Sequence, residues 1–197
     1  MSDVLCIYYS RTGNTKSTML QIAQALDAEV VEIRDGVERS GVRGWLRCGM
    51  DAMSRTVPPV SPFETEKALG QYRLVILGTP VWAGRCSGVM RSFLKKYGKK
   101  LPAAAYVLLR GSEDKNEEIY EQMDRYIPGG PCAAVSLRSG SVGYAFWQEE
   151  FLRQVRDYLD RRQIKRSTAV NFGMGASLDA WDVLLTAMTK KGYTKAE

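Results

Sequence analysis

Hydrophobic positions along the chain switch between two rhythms. Val4, Leu5, Ile7 and Tyr8 form a short, nearly continuous apolar run, the pattern of a strand covered on both faces. Directly after it, Met19, Ile22, Ala23 and Leu26 recur at helical spacing and predict an amphipathic helix over 15–26. The alternation continues, with strands predicted over 3–9, 29–33, 73–78, 103–109 and 132–137. Helices are predicted over 15–26, 87–97, 116–127 and 146–162. In the last, Trp147, Phe151, Val155 and Leu159 return every fourth residue and predict a core-facing stripe. Strands alternating with helices predict an α/β protein, a doubly wound five-stranded parallel sheet with helices on both faces. In such folds ligands gather beyond the carboxyl ends of the strands. Right-handed crossovers put the loops after the first, third and fourth strands on one rim.

Two stretches exceed this plan. Residues 34–66 hold a glycine-rich segment, a helical pattern (Val42, Trp45, Leu46, Met50, Met53) and the extended Pro58-Pro59-Val60-Ser61-Pro62. A connection this long is expected to be a lid or an oligomer contact. From 163 onward, Gly173-Met174-Gly175 precedes a second pattern, Leu178, Trp181, Leu185 and Met188. The expected organisation is a domain over 1–162, with 34–66 inserted after the second strand, and an extension over 163–197. Stripes containing Trp45 or Trp181 need cover from their own domain or from a second copy, so a homodimer is one expectation.

The 197 residues fit one domain, and 45% hydrophobic with 25% charged content is ordinary for a globular protein. No apolar run approaches the roughly 18 residues that span a bilayer. No basic segment followed by an apolar leader opens the chain, so a cytoplasmic location is expected. There is no histidine, which removes Ser-His-Asp and Cys-His catalysis and the usual zinc and haem ligands. Cys6, Cys48, Cys86 and Cys132 are scattered, with no Cys-x-x-Cys pair, so neither a metal site nor a disulfide framework is signalled. Chemistry here therefore points to a borrowed cofactor. The net charge of +6 is spread over helix ends (Lys95-Lys96, Lys99-Lys100, Arg161-Arg162, Lys165-Arg166, Lys190-Lys191), with no nucleic-acid-binding pattern beside it. No nucleic-acid partner is expected.

Candidate chemistry sits in the loops. Ser10-Arg11-Thr12-Gly13-Asn14-Thr15 falls where the first strand stops and the first helix starts. A loop there gathers backbone N–H groups and hydroxyls at the positive end of a helix dipole, an anion site. Gly13 permits a sharp turn and a close approach to a ligand. After the third strand comes Gly78-Thr79-Pro80-Val81-Trp82-Ala83-Gly84, which offers a flat aromatic face beside accessible backbone, as a planar heteroaromatic ring needs.

Together these two loops resemble those of the flavodoxin-like family, over about residues 3–162. Ser10 to Thr15 is similar to the family's phosphate loop, and Thr79-Pro80-Val81-Trp82-Ala83-Gly84 to its first isoalloxazine loop. The resemblance implies the strand order 2-1-3-4-5 and FMN as cofactor. It implies that Ser10, Arg11, Thr12, Gly13, Asn14 and Thr15 hold the 5′-phosphate. Thr79, Pro80, Val81, Trp82, Ala83 and Gly84 would border the ring, with Trp82 its aromatic neighbour. The third family loop matches Leu109 to Asp114, where Arg110, Gly111 and Ser112 would reach the pyrimidine side. Many flavodoxins carry a tyrosine in that loop, whereas residues 110–115 hold no aromatic, which implies a more open outer face or one covered by the insertion or another subunit. Classical flavodoxins are acidic and this chain is basic. Positive charge near the flavin (Arg11, Arg110, with Arg85 a third candidate) favours negative charge on its reduced form.

The implied function is an FMN-binding redox protein. One reading is an NAD(P)H-dependent quinone or flavin reductase, to which the open face, basic charge and insertion lean. A second is an electron carrier that docks on a redox partner protein and has no substrate of its own. A third is a flavin-free binding module. Cys86, at a predicted helix start, has a reactive-thiol reading through the helix dipole and a simpler one as packing against the loop.

Overall fold

The computed structural model describes residues 2–36 and 58–171, with side chains through Gln163. The elements are β1 (Val4–Tyr8), α1 (Asn14–Leu26), β2 (Glu29–Glu32), β3 (Leu74–Trp82), β4 (Arg85–Cys86), α2 (Gly88–Tyr97), β5 (Ala104–Arg110), α3 (Glu118–Asp124), β6 (Pro131–Arg138) and α4 (Tyr144–Asn171). The sheet runs β2-β1-β3-β5-β6 with every neighbouring pair parallel. Counting the five long strands in chain order gives 2-1-3-4-5, the doubly wound flavodoxin-like order. The direction of winding reverses between β1 and β3, where Tyr8 lies in register with Gly78. That reversal opens a crevice outside the two carboxyl ends.

Alternation along each strand divides the interior. Leu5, Ile7, Val75, Leu77, Tyr106 and Leu108 join Met90 and Phe93 of α2 and Ile119 and Met123 of α3 in one core. The intervening Cys6, Ile76 and Val107 are buried, as are Met19 and Ile22 of α1 and Phe151 and Val155 of α4. Gly78 belongs to this second face. A Cβ there would lie 2.5 Å from the Met19 sulfur, so the missing side chain lets α1 sit tightly on the sheet rather than admitting a ligand.

Four details differ from the periodicity. The third strand is longer than expected and turns back on itself: β4 pairs antiparallel with its end, Val81 opposite Cys86 and Trp82 opposite Arg85. The two linking residues, Ala83 (φ 47°) and Gly84 (φ 67°), both take positive φ, as a two-residue hairpin turn requires. Helix α3 is shorter than 116–127, because Asn116 (φ 54°) lies outside helical space just ahead of it. Helix α4 starts earlier than predicted, and Trp147 is 49% exposed rather than core-facing. Its ring instead carries the Lys115 ammonium 5.6 Å from the centroid.

Of the predicted insertion, residues 34–36 and 58–66 are described, and they form neither helix nor strand. The Ser61 N–H donates to the Arg34 carbonyl (2.7 Å), and Phe63 packs between Phe93 (5.8 Å) and Tyr97 (5.5 Å) of α2. The helical pattern from Val42 to Met53, including Trp45, and Cys48 lie outside the described residues, as do Gly173-Met174-Gly175, Leu178, Trp181, Leu185 and Met188. The chain divides into two compact units, Met1–Arg156, which holds the sheet, and Asp157–Glu197, which is helical as far as Asn171. Among the described residues no helix is long and apolar enough to cross a membrane.

Candidate functional site

Three segments meet the rim at the carboxyl ends of β1, β3 and β5. The first leaves β1 at Tyr9, whose N–H donates to the Gly78 carbonyl (3.1 Å) and keeps the chain on β3 for one residue beyond the strand. The backbone then turns so that the Gly13 N–H donates to Ser10 Oγ (3.1 Å), and Gly13, at φ +92°, opens α1 as its N-cap. The first helical bond runs from the Ser17 N–H to the Gly13 carbonyl (2.8 Å). The N–H groups of Asn14, Thr15 and Lys16 therefore precede any intrahelical acceptor and point out of the helix start. No acidic residue occupies that first turn. Thr12, Asn14 and Lys16 are exposed, Ser10 and Arg11 half-buried, and Thr15 buried. A Cβ at Gly13 would meet nothing within 4 Å, so the glycine edge faces open space. Such an arrangement suits an anion.

The second segment is the β3–β4 hairpin. Thr79 is fully buried. Its Oγ1 accepts from the Ser87 N–H (3.1 Å) and donates to Ser87 Oγ (3.1 Å), which in turn accepts from the Met90 N–H (3.2 Å) to cap α2. The Thr79 side chain thus ties strand to helix, and only its backbone remains for a ligand. Pro80, Val81, Trp82 and Gly84 are half-buried and Ala83 exposed. The Trp82 ring meets Tyr9 edge to face, centroids 5.7 Å apart. The turn leans on α3, for Gln122 Nε2 donates to the Gly84 carbonyl (3.3 Å).

In the third segment Arg110 folds back on its own loop. One guanidinium nitrogen donates to the carbonyls of Ser112 (2.5 Å) and Glu113 (3.0 Å), while Nε is buried with no hydrogen-bond partner. Gly111 and Ser112 are exposed, and a Cβ at Gly111 would also meet open space. Asn116 closes the loop, donating its N–H to Asp114 Oδ1 (3.1 Å) and its side-chain amide to the Asp114 carbonyl (2.6 Å). Glu113 pairs with Arg138 across to β6 (3.0 Å).

The structure therefore brings Ser10–Thr15, Pro80–Gly84 and Arg110–Ser112 to one end of the sheet. Two residues there were not anticipated. Tyr9 follows directly on the apolar run of β1, and Asn116 stands before a helical pattern as a turn residue would; these are the only signals either leaves in the sequence. Positive charge is not concentrated at this rim, because Glu113, Asp114, Glu117 and Glu118 accompany Arg11, Lys16, Arg85 and Arg110. Cys86 takes the packing role. It is 1% exposed, and burial pushes its thiol up to about 11 against the opposing pull of Arg91. Among the described residues no group of three or more Cys, Asp or Glu converges to hold a metal ion.

No protein-family profile matches the chain. Solved structures do. A flavoprotein from Lactobacillus acidophilus NCFM, determined in complex with FMN, is 18% identical over 75% of this chain and 99% of its own, with a TM-score of 0.57. A protein from Bacteroides uniformis described as a flavoprotein is 18% identical over 79% of this chain and 98% of its own, with a TM-score of 0.62. Another so described, from Bacteroides eggerthii, is 15% identical over 81% and 97%, with a TM-score of 0.60. At such identities the likeness establishes the fold, and this chain has the flavodoxin-like one.

Proposed function

We propose that this protein binds FMN at the rim of its sheet and acts as a flavin-dependent NAD(P)H oxidoreductase on a quinone or flavin acceptor. The observation that carries the reading is the position of Ser10–Thr15, a hydroxyl-rich helix start directly beside the β1/β3 reversal, where doubly wound folds of this order receive FMN. The residues present fit the group. Free N–H groups of Asn14, Thr15 and Lys16 with the Thr12 hydroxyl suit a phosphate dianion. Trp82 and the backbone of Pro80 to Gly84 suit a flat ring. The open edges at Gly13 and Gly111 leave room at both ends, and the unpartnered Arg110 Nε is a donor waiting for an acceptor. FMN, when bound, supplies the electron or hydride transfer; the chain supplies binding and orientation.

Reductase rather than carrier is supported by a third loop without an aromatic cover, which leaves a face for nicotinamide and acceptor to use in turn. The mixed charge of the rim supplies no further support. The test is the absorption spectrum of freshly purified protein, followed by anaerobic stopped-flow mixing with NADPH. Flavin absorption that bleaches without any partner protein supports the reductase. Bound flavin that bleaches only when a reductase is added supports an electron carrier, and colourless protein that leaves added FMN fluorescent overturns the flavin reading altogether.

A further inference from the structure

Helix α1 is latched to α4 at its first turn by a pair of hydroxyls. Tyr144, the first residue of α4, lies with its hydroxyl 2.7 Å from Thr18 Oγ1, and Thr18 Oγ1 lies 3.2 Å from the Asn14 carbonyl. Thr18 has one hydroxyl proton and is 1% exposed. A carbonyl only accepts, so the Thr18 proton goes to Asn14 and the Tyr144 O–H donates to Thr18. The result is a one-way chain: Tyr144 O–H to Thr18 Oγ1, Thr18 O–H to Asn14 C=O.

The destination matters because the Asn14 carbonyl and the Thr15 N–H are the two ends of one peptide group. That carbonyl already accepts the helical bond expected from the Thr18 N–H. A second donor withdraws more electron density from the same peptide, which makes the Thr15 N–H a better donor, and a hydroxyl that is itself hydrogen-bonded donates more strongly. The Thr15 N–H is one of the three with no intrahelical acceptor.

We infer that Tyr144 is a positioning residue for the anion site, acting through Thr18 to polarise the Asn14–Thr15 peptide and to hold the first turn of α1 in place. The inference rests on the phosphate reading of Ser10–Thr15 given above. Tyr144 itself need not touch the ligand; it lies more than a hundred residues away in sequence, and no motif connects it to the loop.

The experiment compares FMN with riboflavin, which has the same ring and no phosphate. Fluorescence-quench titrations on the parent, Tyr144→Phe, Thr18→Val and Thr18→Ser should show FMN affinity falling about 1.3- to fivefold in Tyr144→Phe and Thr18→Val, the range for a charge-assisted hydrogen bond that loses 10–30% of its strength with its polarising partner. Riboflavin affinity should stay unchanged, so the FMN-to-riboflavin ratio drops, and Thr18→Ser should retain the parent ratio. Without any ligand, the Thr15 amide ¹⁵N resonance should move upfield in Tyr144→Phe. An equal loss for both flavins means general damage to the fold and overturns the inference, as does an unchanged ratio. Should the parent bind neither flavin, the FMN reading fails on its own, and the Thr15 nitrogen then decides the relay: a shift sustains it and an unmoved resonance overturns it.

Discussion

Tyr9 and Trp82 meet edge to face, their ring planes at 89° and centroids 5.7 Å apart. One is the first residue past β1 and the other the last of β3, so the contact fixes the two loops that flank the crevice against each other. Tyr9 is 6% exposed, whereas Trp82 is half-buried and keeps surface for a ligand. Replacing Tyr9 by Leu removes a partner worth about 0.5–1.5 kcal/mol beyond its area. The expected result is a lower unfolding midpoint and a broadened flavin spectrum, since Trp82 loses its fixed plane. Trp82→Ala removes the same ring contact and the packing of Trp82 on the core, so it should lower the midpoint too, and it should weaken flavin binding more than Tyr9→Leu does. Urea melts and absorption spectra of both variants check these outcomes; a Tyr9 variant with parent stability and spectrum speaks against them.

Thr12→Val with Thr15→Val should weaken FMN binding by removing two donors from the helix start. A hydrogen bond to a charged group contributes about 1.5–3 kcal/mol, so a loss of at least tenfold in affinity is expected for each that reaches the phosphate. Thr15 is buried and Thr12 exposed, and the single variants therefore separate the two. Titration of FMN into apoprotein measures the effect, and parent affinity in the double variant means the phosphate lies elsewhere.

Gly78→Ala should destabilise the fold through α1. The new methyl would sit 2.5 Å from the sulfur and 2.6 Å from Cγ of Met19, and 3.1 Å from Cβ of Tyr8. The methionine end is flexible and yields, while Tyr8 Cβ is anchored to the strand, so the cost should fall at about 1–3 kcal/mol, as for other overpacked cores. Met19→Ala in the same chain should recover part of the loss introduced by Gly78→Ala. Chemical denaturation of the two singles and the double measures that coupling, and strict additivity would show that the clash is not with Met19.

Stability should fall as the pH rises above about 9. Burial holds the Cys86 thiol at about 11 and the Cys6 thiol at about 12, against an ordinary value of 9.0. The folded state keeps these protons where the unfolded chain releases them, so the contribution is whole below pH 9 and is lost as the pH climbs through the folded values. Tyr72, also raised to about 12 by burial and its hydrogen bond to Glu29, acts in the same direction from its ordinary 10.0. Urea midpoints between pH 7 and 11 measure the decline, which Cys86→Ala should make shallower. A thiol reagent at neutral pH should find Cys86 inert in the folded protein, and rapid labelling there would contradict the assignment.

Much of the architecture follows from local pattern. The apolar runs at 4–8 and 74–77 and the helical stripe from Met19 to Leu26 state their elements directly, because a strand covered on both faces and a half-buried helix each need only neighbouring residues to express their period. The helix start at Ser10–Thr15 is equally local, since glycine, hydroxyls and the first turn of a helix act within six residues. The strand order required more: the resemblance of two loops implied it and the sheet displays it.

What only the tertiary structure decided lies where a residue's partner is distant in the chain. Trp147 fits a core stripe by spacing, yet its ring stays half-exposed and lies under the Lys115 ammonium. Thr79 reads as a ligand contact; the structure commits its side chain to Ser87, which caps α2, and leaves its backbone for that role. Gly78 reads as an approach for a ligand and serves Met19. Tyr144 carries no signal beyond its place at a helix start, and reaches Thr18 of α1 only because α4 packs beside α1. Periodicity reports which face of an element is apolar; which side chain from another element arrives there depends on how the layers pack, and that is set by the whole chain at once.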